Sequence, residues 1–490
     1  MKQTTKSLAT TLGVLALAAA IGGAALWVTR DTEKKAEQKE KSAKLFDGLD
    51  KSKVRQVRLV KDGKLVALVA RPDGSAPWKI TEPLAADADA SAVDGLVNGV
   101  ADFKQKSELG DADPAQYGLD KPALVVSVKS EDGKESSIEI GETNPFDSSV
   151  YLRKAGEKTV RIADGWTKSA FEKQLLDLRD KRVLHLDDTA EVRRVEVAGT
   201  APAYTLEKDG ASWKLLAPQK DVADTAVADR VATLLKSLRA TGIASESAGG
   251  PALKQYGLAP AKITVQLTVA AGGGKETYRR TLLLGQPAPA KGSVAVKTYA
   301  KRDDAPTVFE VDQQIVKDLQ KDIFDLQDKA LVHANREDVH KVVLEQAGSP
   351  KIVVERKKEQ PKDGGFADET FTVLEPKQGP AKKWKMSSAL YSLSGLRAAA
   401  FAAKPDAKAF DGARTISLLG EGDKVLATVR IGSLTTDGKR RYVSSSGQPR
   451  IAEVEKATVD DLPKSLDDVL EPPPAASGPA DGGTGLQAGK

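Results

Sequence analysis

Residues 78–83 read Trp-Lys-Ile-Thr-Glu-Pro, and residues 213–218 read Trp-Lys-Leu-Leu-Ala-Pro. A second motif follows each in the same order: Tyr117-Gly118-Leu119 with Pro122, and Tyr256-Gly257-Leu258 with Pro260. Two motifs recurring in one order at long period mark a duplicated supersecondary unit. Upstream of the first Trp, Val54–Leu59 and Leu65–Ala70 alternate apolar and polar residues around Asp62-Gly63, which predicts a β-hairpin with a tight turn. Upstream of the second, Val192–Val197 and Tyr204–Lys208 alternate in the same way, and Asp209-Gly210 leads into the Trp strand. A third, fainter copy offers Val339–Leu344 and Lys351–Val354, a polar insert Lys357–Glu369, and Trp384-Lys385-Met386 as the expected third Trp strand.

Each Trp segment is followed by apolar residues at helical spacing. They are Val93, Leu96, Val97, Val100 and Phe103, then Val227, Val231, Leu234, Leu235 and Leu238, then Leu390, Leu393 and Leu396. A one-sided apolar stripe needs a sheet to pack on. Strands resume at Leu124–Lys129 and Ser136–Ile140, at Ile263–Val269 and Tyr278–Leu284, and at Arg414–Leu418 and Val425–Ile431, followed by Gly141, Gly285 and Gly432. Short strands around Tyr151, Tyr299 and Tyr442 and at Val160–Ile162, Val308–Val311 and Ile451–Val454 complete each copy. Phe171, Leu175 and Leu178, and again Ile315, Leu319 and Ile323, predict a closing helix.

The expected fold class is therefore α+β: three tandem diverged α/β repeat units with largely antiparallel sheets, preceded by one transmembrane helix. The expected limits are a short tail 1–8, an anchor 9–28, a charged stalk 29–49, repeats 50–185, 186–332 and 333–470, and a disordered Pro/Gly-rich tail 471–490. Trp78, Trp213, Trp384, Tyr117, Gly118, Leu119, Tyr256, Gly257 and Leu258 are read as architectural markers of the repeat, because a duplicated motif argues for packing more than for a single site.

The anchor rests on Ala9–Val28, twenty residues without a charge, about 30 Å long as a helix and so able to cross a bilayer core. Lys2 and Lys6 precede it, Arg30 follows, and Trp27 sits at its exit boundary. A cleaved signal peptide, with Ala18 and Ala20 as small residues for processing, is the alternative. Counting Lys and Arg alone, residues 30–44 favour a cytoplasmic body, whereas a short N-terminal tail before an isolated apolar segment is the layout of an exported one.

Composition excludes more than it assigns. The chain has 490 residues, with 74 Lys and Arg against 69 Asp and Glu and no cysteine. Near balance of charge with no basic patch or reader motif argues against nucleic acid. Absence of cysteine removes thiol catalysis, cysteine-ligated metals, disulfides and a lipidated N-terminal cysteine. No H-E-x-x-H, G-x-S-x-G or phosphate-loop motif occurs. Ala271-Gly272-Gly273-Gly274-Lys275 has the wrong spacing for a phosphate loop and reads as a hairpin connection. His185 and His333 fall at equivalent junctions, His340 has no partner implied by spacing, and Asp187-Asp188, Asp303-Asp304 and Asp467-Asp468 read as exposed turns. No catalytic, cofactor-binding or metal-ligating residue is assigned. One loop, Gly141–Asp147, carries Asn144, Pro145 and Phe146, and an aromatic in a polar loop either anchors a partner or plugs a core edge.

The Trp-Lys-Ile…Pro, Tyr-Gly-Leu…Pro and Ile-Gly…Tyr-Leu-Arg elements make the chain resemble the bacterial family called domain of unknown function 4340. The likeness covers the first two repeats well and the third loosely. It implies a single-pass protein of the bacterial inner (cytoplasmic) membrane with its body in the periplasm and no assigned activity. It also implies a link to ABC-type transporter components of the gliding-motility or auxiliary kind, hence a binding or scaffold role with a membrane transporter complex as partner. The alternatives left open are a periplasmic ligand-binding protein with a pocket between repeats and a carboxylate-dependent hydrolase.

Overall fold

The computed structural model describes residues 44–272, 276–289, 296–359, 368–404 and 408–472. The expected anchor at 9–28, the N-terminal tail, most of the stalk and the C-terminal tail from residue 473 lie outside the described residues. Among those described, no helix is long and apolar enough to cross a membrane.

In the first repeat the strands are β1 (Val54–Lys61), β2 (Lys64–Ala70), β3 (Lys79–Glu82), β4 (Ala86–Asp87), β5 (Ser107–Asp111), β6 (Leu124–Ser130), β7 (Glu135–Thr143), β8 (Val150–Lys154) and β9 (Thr159–Ala163). They form one nine-stranded sheet in the order β4-β3-β2-β1-β6-β7-β8-β9-β5, antiparallel at every step. The predicted hairpin is β1–β2, with Asp62 and Gly63 both at positive φ in its turn. Helix α1 (Ala90–Ala101) carries the chain from β4 at one edge to β5 at the other, and the Tyr117-Gly118-Leu119 turn returns it to β6 in the middle.

Alternation along the strands puts Val57, Leu59, Val69, Ile80, Val126, Val128, Ile138, Ile140 and Leu152 into one core. Val93, Leu96, Val97 and Val100 of α1 join them there, fully or almost fully buried. Each such side chain contributes about 1.5–3 kcal/mol through removal from water. Asp89 caps α1 by accepting from the Ala92 amide at 3.1 Å.

Two further nine-stranded sheets, between Glu191 and Asp312 and between Lys341 and Glu455, repeat this strand order position for position. Their crossing helices are α2 (Thr225–Lys236) and α3 (Lys383–Ser394). The expected fold of three tandem α+β repeats with antiparallel sheets is thus present. By compactness the chain divides into two bodies. One gathers the described residues up to Ala190 with 234–264 and 271–317, and the other gathers 191–233, 265–270 and 318 onward. The first sheet falls within the first body and the third within the second.

One marker is corrected. Trp384-Lys385-Met386 is not a strand: it opens α3, where Trp384 is 70% exposed and Met386 faces the core. The buried residues Met386, Ala389, Leu390 and Leu393 recur at helical spacing, and that period outweighs the local match to Trp-Lys. The strand is supplied instead by Phe371-Thr372-Val373 within Asp368–Glu375, followed by Pro376 as the other copies are followed by Pro83 and Pro218. Trp78 and Trp213 are buried and donate Nε1 to Asp94 (2.9 Å) and Asp229 (2.8 Å), each sixteen residues on. Phe371 has no N–H to satisfy, and its sixteenth successor is Ser387, bonded to Glu369.

The Tyr-Gly-Leu markers are explained by a close approach. A Cβ on Gly141 would lie 2.1 Å from the Tyr117 carbonyl oxygen, and one on Gly285 would lie 2.1 Å from that of Tyr256. Gly118 and Gly257 adopt φ +67° and +66°, which an L side chain rarely tolerates. Tyr117 stacks edge-on against Tyr151, and Tyr256 against Tyr299, at 4.8 and 4.7 Å between centroids. The third copy lacks the motif yet keeps the contact, since a Cβ on Gly432 would lie 2.2 Å from the Ala409 carbonyl.

Successive repeats are joined by one recurring ion pair. Arg239, just after α2, reaches the α1 cap Asp89 at 2.8 Å. Arg397, just after α3, reaches Asp224 at 2.7 Å, and Asp224 also accepts from the Val227 amide of α2. Beside each pair the linker bonds to the chain leaving the helix: the Val183 amide to the Leu238 carbonyl (3.0 Å) and the Leu331 amide to the Leu396 carbonyl (2.9 Å). His185 and His333 follow at matching places, near Asp180 (3.5 Å) and Asp328 (3.3 Å). In the last repeat the capping position before α3 is Lys382, whose ammonium donates to the Asp467 carbonyl.

Gly141→Ala is expected to destabilise by about 2 kcal/mol or more, because the added methyl meets backbone. Gly95→Ala on the open side of α1, where a Cβ meets nothing within 4 Å, is expected to stabilise slightly; paired urea melts compare them. Removing Asp224 with Ala deletes both a helix cap and an ion-pair partner, for a loss of about 2 kcal/mol, against about 1 kcal/mol for Arg397→Ala. A double-mutant cycle by thermal melting reads their coupling.

Candidate functional site

The loop flagged by sequence joins β7 to β8. The Asn144 amide donates to the Ser149 carbonyl (2.7 Å) and the Ser148 amide to the Asn144 carbonyl (2.9 Å), closing it as a tight turn. Asn144 Oδ1 accepts from the Phe146 amide at 3.1 Å, and Asp147 Oδ1 accepts from the Ser149 hydroxyl (2.6 Å) and amide (3.0 Å). Those bonds, the hydroxyl first, hold the Asp147 carboxyl below its ordinary range. Pro145 fixes its own φ. Ser148, at φ +58°, presses its carbonyl on Gly165 so closely that a Cβ there would lie 2.1 Å away.

This scaffold holds Phe146 outward. Its side chain is 96% exposed, so it does not plug a core edge. Pro145 is exposed and Asn144 half-buried. Trp166, the residue after Gly165, is 70% exposed at the start of the short helix Trp166–Phe171, which buries Thr167 and Phe171 instead. The Ser148–Gly165 contact therefore brings two outward aromatics, Phe146 and Trp166, to one end of the first sheet. Trp166 was not singled out by sequence. Its signal is a Trp directly after Asp164-Gly165, at the opening of a helix whose apolar spacing does not include it. In the third repeat the corresponding turn, Thr435–Lys439, carries no aromatic.

Little among the described residues suggests acid–base or metal chemistry. No three His, Cys, Asp or Glu side chains there come together as a metal cluster. Every carboxylate whose pKa is displaced is displaced downward, including half-buried Asp180 and Glu369. A general acid needs the opposite sign. Burial pushes the His185 imidazole down, against the pull of Asp180. An open cavity of about 790 Å³ beside Lys44–Asp50 is lined mostly by polar groups, with four lysines and five carboxylates around Leu45, Phe46 and Leu49.

These features define a tandem array of antiparallel α+β repeats with an aromatic tip on its first member. The family model for the domain of unknown function DUF4340 matches residues 78–251 and 230–412. The chain belongs to the DUF4340 family, and its two overlapping matches fit repeated copies of the domain. No curated protein and no solved structure matches it.

Because neither ring is buried, Phe146→Ser and Trp166→Ser are expected to shift unfolding free energy by no more than about 0.5 kcal/mol. Calorimetry of the two variants and of Pro145→Ala checks this. A large loss in either serine variant would place that ring in the core.

Proposed function

We propose that this chain is a membrane-anchored, extracytoplasmic binding or scaffold protein, an accessory component of an ABC-type envelope transport or gliding-motility-like complex, and not an enzyme. The observation that carries the reading is the aromatic tip. Phe146 projects from a turn fixed by Asx bonds and Trp166 from the helix start held by the Ser148 carbonyl on Gly165, so little backbone freedom is lost when a partner covers them. The downward carboxylate shifts supply no proton donor for a hydrolase. The uncharged segment Ala9–Val28 supports a tether in the bacterial inner membrane, with the body in the periplasm. Tethering raises the effective concentration of a weak contact surface near a membrane partner.

The test is affinity purification from mild detergent followed by mass spectrometry, comparing the natural chain with the Phe146→Ser/Trp166→Ser double variant. A membrane permease is expected with the natural chain and at least fivefold less with the variant. Equal recovery removes the aromatic tip from the reading, and recovery of no membrane component sinks the scaffold role. Protease added to intact spheroplasts is expected to digest residues 50–470; protection would put the body on the cytoplasmic side.

A further inference from the structure

The second and third repeats satisfy one carbonyl in two different ways, and strand register fixes the counterparts. Lys208 faces Trp213 and Arg356 faces Phe371. Ile352 therefore stands where the second repeat has Tyr204, each four residues before its cation. Arg414, paired with Ile431 before Gly432, stands where the first repeat has Leu124, paired with Ile140 before Gly141. Counting from Leu258 as from Leu119 makes Ile263 the equivalent in the second repeat. Leu319 and Leu462 each lie nine residues after the glutamate that faces Tyr299 or Tyr442. Tyr204 is buried, and its hydroxyl donates to the Leu319 carbonyl at 3.1 Å. Ile352 has no hydroxyl, and Arg414 takes over. Its Nη1 donates to the Leu462 (3.2 Å) and Pro463 (3.1 Å) carbonyls and its Nη2 to that of Val459 (2.8 Å).

A neutral hydroxyl is enough for that carbonyl, so the bond alone does not call for a charge. Arg414 is 8% exposed, at a place where Leu124 and Ile263 are core residues. Its three bonds leave two of the five guanidinium N–H groups, on Nε and Nη2, the adjacent pair that a carboxylate bridges. Nε is buried and has no hydrogen-bond partner among the described residues. The acids that act on Arg414 are bonded elsewhere: Asp460 to Arg441 (2.7 Å) and near Lys464 (3.9 Å), and Asp468 to the Lys464 and Ser465 amides (2.8 and 3.1 Å). Burial pushes the guanidinium pKa down, and the charge of Asp460 offsets this only in part. The exchange of tyrosine for isoleucine also leaves space, a cavity of about 140 Å³ bordered by Leu344, Ile352, Pro376, Leu466 and Arg414. An apolar cavity of about 150 Å³ takes one benzene ring. Glu345, which also borders the space, is exposed and lies 3.9 Å from Lys351.

We propose that this cavity binds a small monocarboxylate with a compact apolar body, such as an aromatic acid of benzoate size. The body lies where Tyr204 places its ring in the second repeat, and the carboxylate meets Arg414. A buried cation bonded only to neutral carbonyls is destabilising, and an anion beside it offsets the loss of hydration. A second cavity, of about 300 Å³, shares Gln346, Arg414 and Lys464 with the first. Arg414 thus borders an apolar space and a polar one, as the recognition of an amphiphilic acid requires. The site draws on neither the aromatic tip nor the tether.

Fluorine NMR titration of the full chain in detergent, with para-fluorobenzoate and its neutral amide as probes and detergent alone as the blank, tests this. The acid is expected to bind at one site, at least tenfold more tightly than the amide. Arg414→Leu, which installs the residue of the first repeat, is expected to remove that preference. Ile352→Tyr, which installs the residue of the second, is expected to fill the cavity and abolish binding of both probes without lowering the melting temperature. That variant keeps Arg414 and its carbonyl bonds, so it decides the matter even where Arg414→Leu loosens the turn at Leu462. Equal binding of acid and amide overturns the proposal, as does failure of the acid to bind or a preference that survives Arg414→Leu. Undiminished binding in Ile352→Tyr overturns it too, since the acid would then sit elsewhere.

Discussion

A single helix must carry the chain from one edge of a nine-stranded sheet to the other, and the rest of each repeat follows from that crossing. Eight inter-strand steps of about 4.8 Å would separate the edges of a flat sheet by about 38 Å. Helix α1 has twelve residues, about 18 Å of rise. The five residues 102–106 add at most about 17 Å. The two together come to about 35 Å, so the crossing also needs the residues between β4 and the helix and leaves the chain little slack. The crossing also dictates burial: a helix lying over the middle strands must be apolar on one face, and Val93, Leu96, Val97 and Val100 supply that face.

The return journey sets the second constraint. After β5 the chain must come back to the sheet centre and begin β6, and it does so over the end of β7 through the Tyr117-Gly118-Leu119 turn. The turn passes so near β7 that only glycine fits beneath its carbonyl. The third copy shows which part of this is indispensable. It has exchanged Tyr-Gly-Leu for Ala409-Phe410-Asp411 but has kept Gly432, so the separation of backbones outlasts the side chains that once marked it. Likewise Phe371 replaces a Trp together with the loss of the Asp that the indole requires, a coupled change that leaves no unpaired polar group in the core.

Much of this was legible beforehand. Period-two alternation disclosed the hairpins, helical spacing disclosed α1 and α2, and the recurrence of Trp and Tyr-Gly-Leu disclosed the duplication. Ala86–Asp87 and Gly379–Pro380 were not foreseen, because two residues carry no period. Trp384 misled because identity with Trp78 and Trp213 is a stronger visual cue than three leucines at helical spacing, although only the latter reflects packing. At the candidate site Phe146 was found by its oddity in a polar loop. Trp166 escaped because its neighbourhood is set by a contact between Ser148 and Gly165 that no local pattern announces.

The acid–arginine pair at the repeat joints has a consequence for how such arrays grow. Only the middle repeat carries both halves, Asp224 offered forward and Arg239 offered backward. The first has Lys104 in place of the arginine, and the last has Lys382 in place of the aspartate. A duplication in frame over residues 186–332 would therefore supply a matched seam on each side of the new copy. Copying the last repeat would set Lys382 where a seam needs an aspartate, whereas copying the first would put Lys104 in place of the arginine and keep its charge. The seams therefore accept a further middle repeat without mismatch, and they oppose a second copy of the last repeat, in which two cations would face each other.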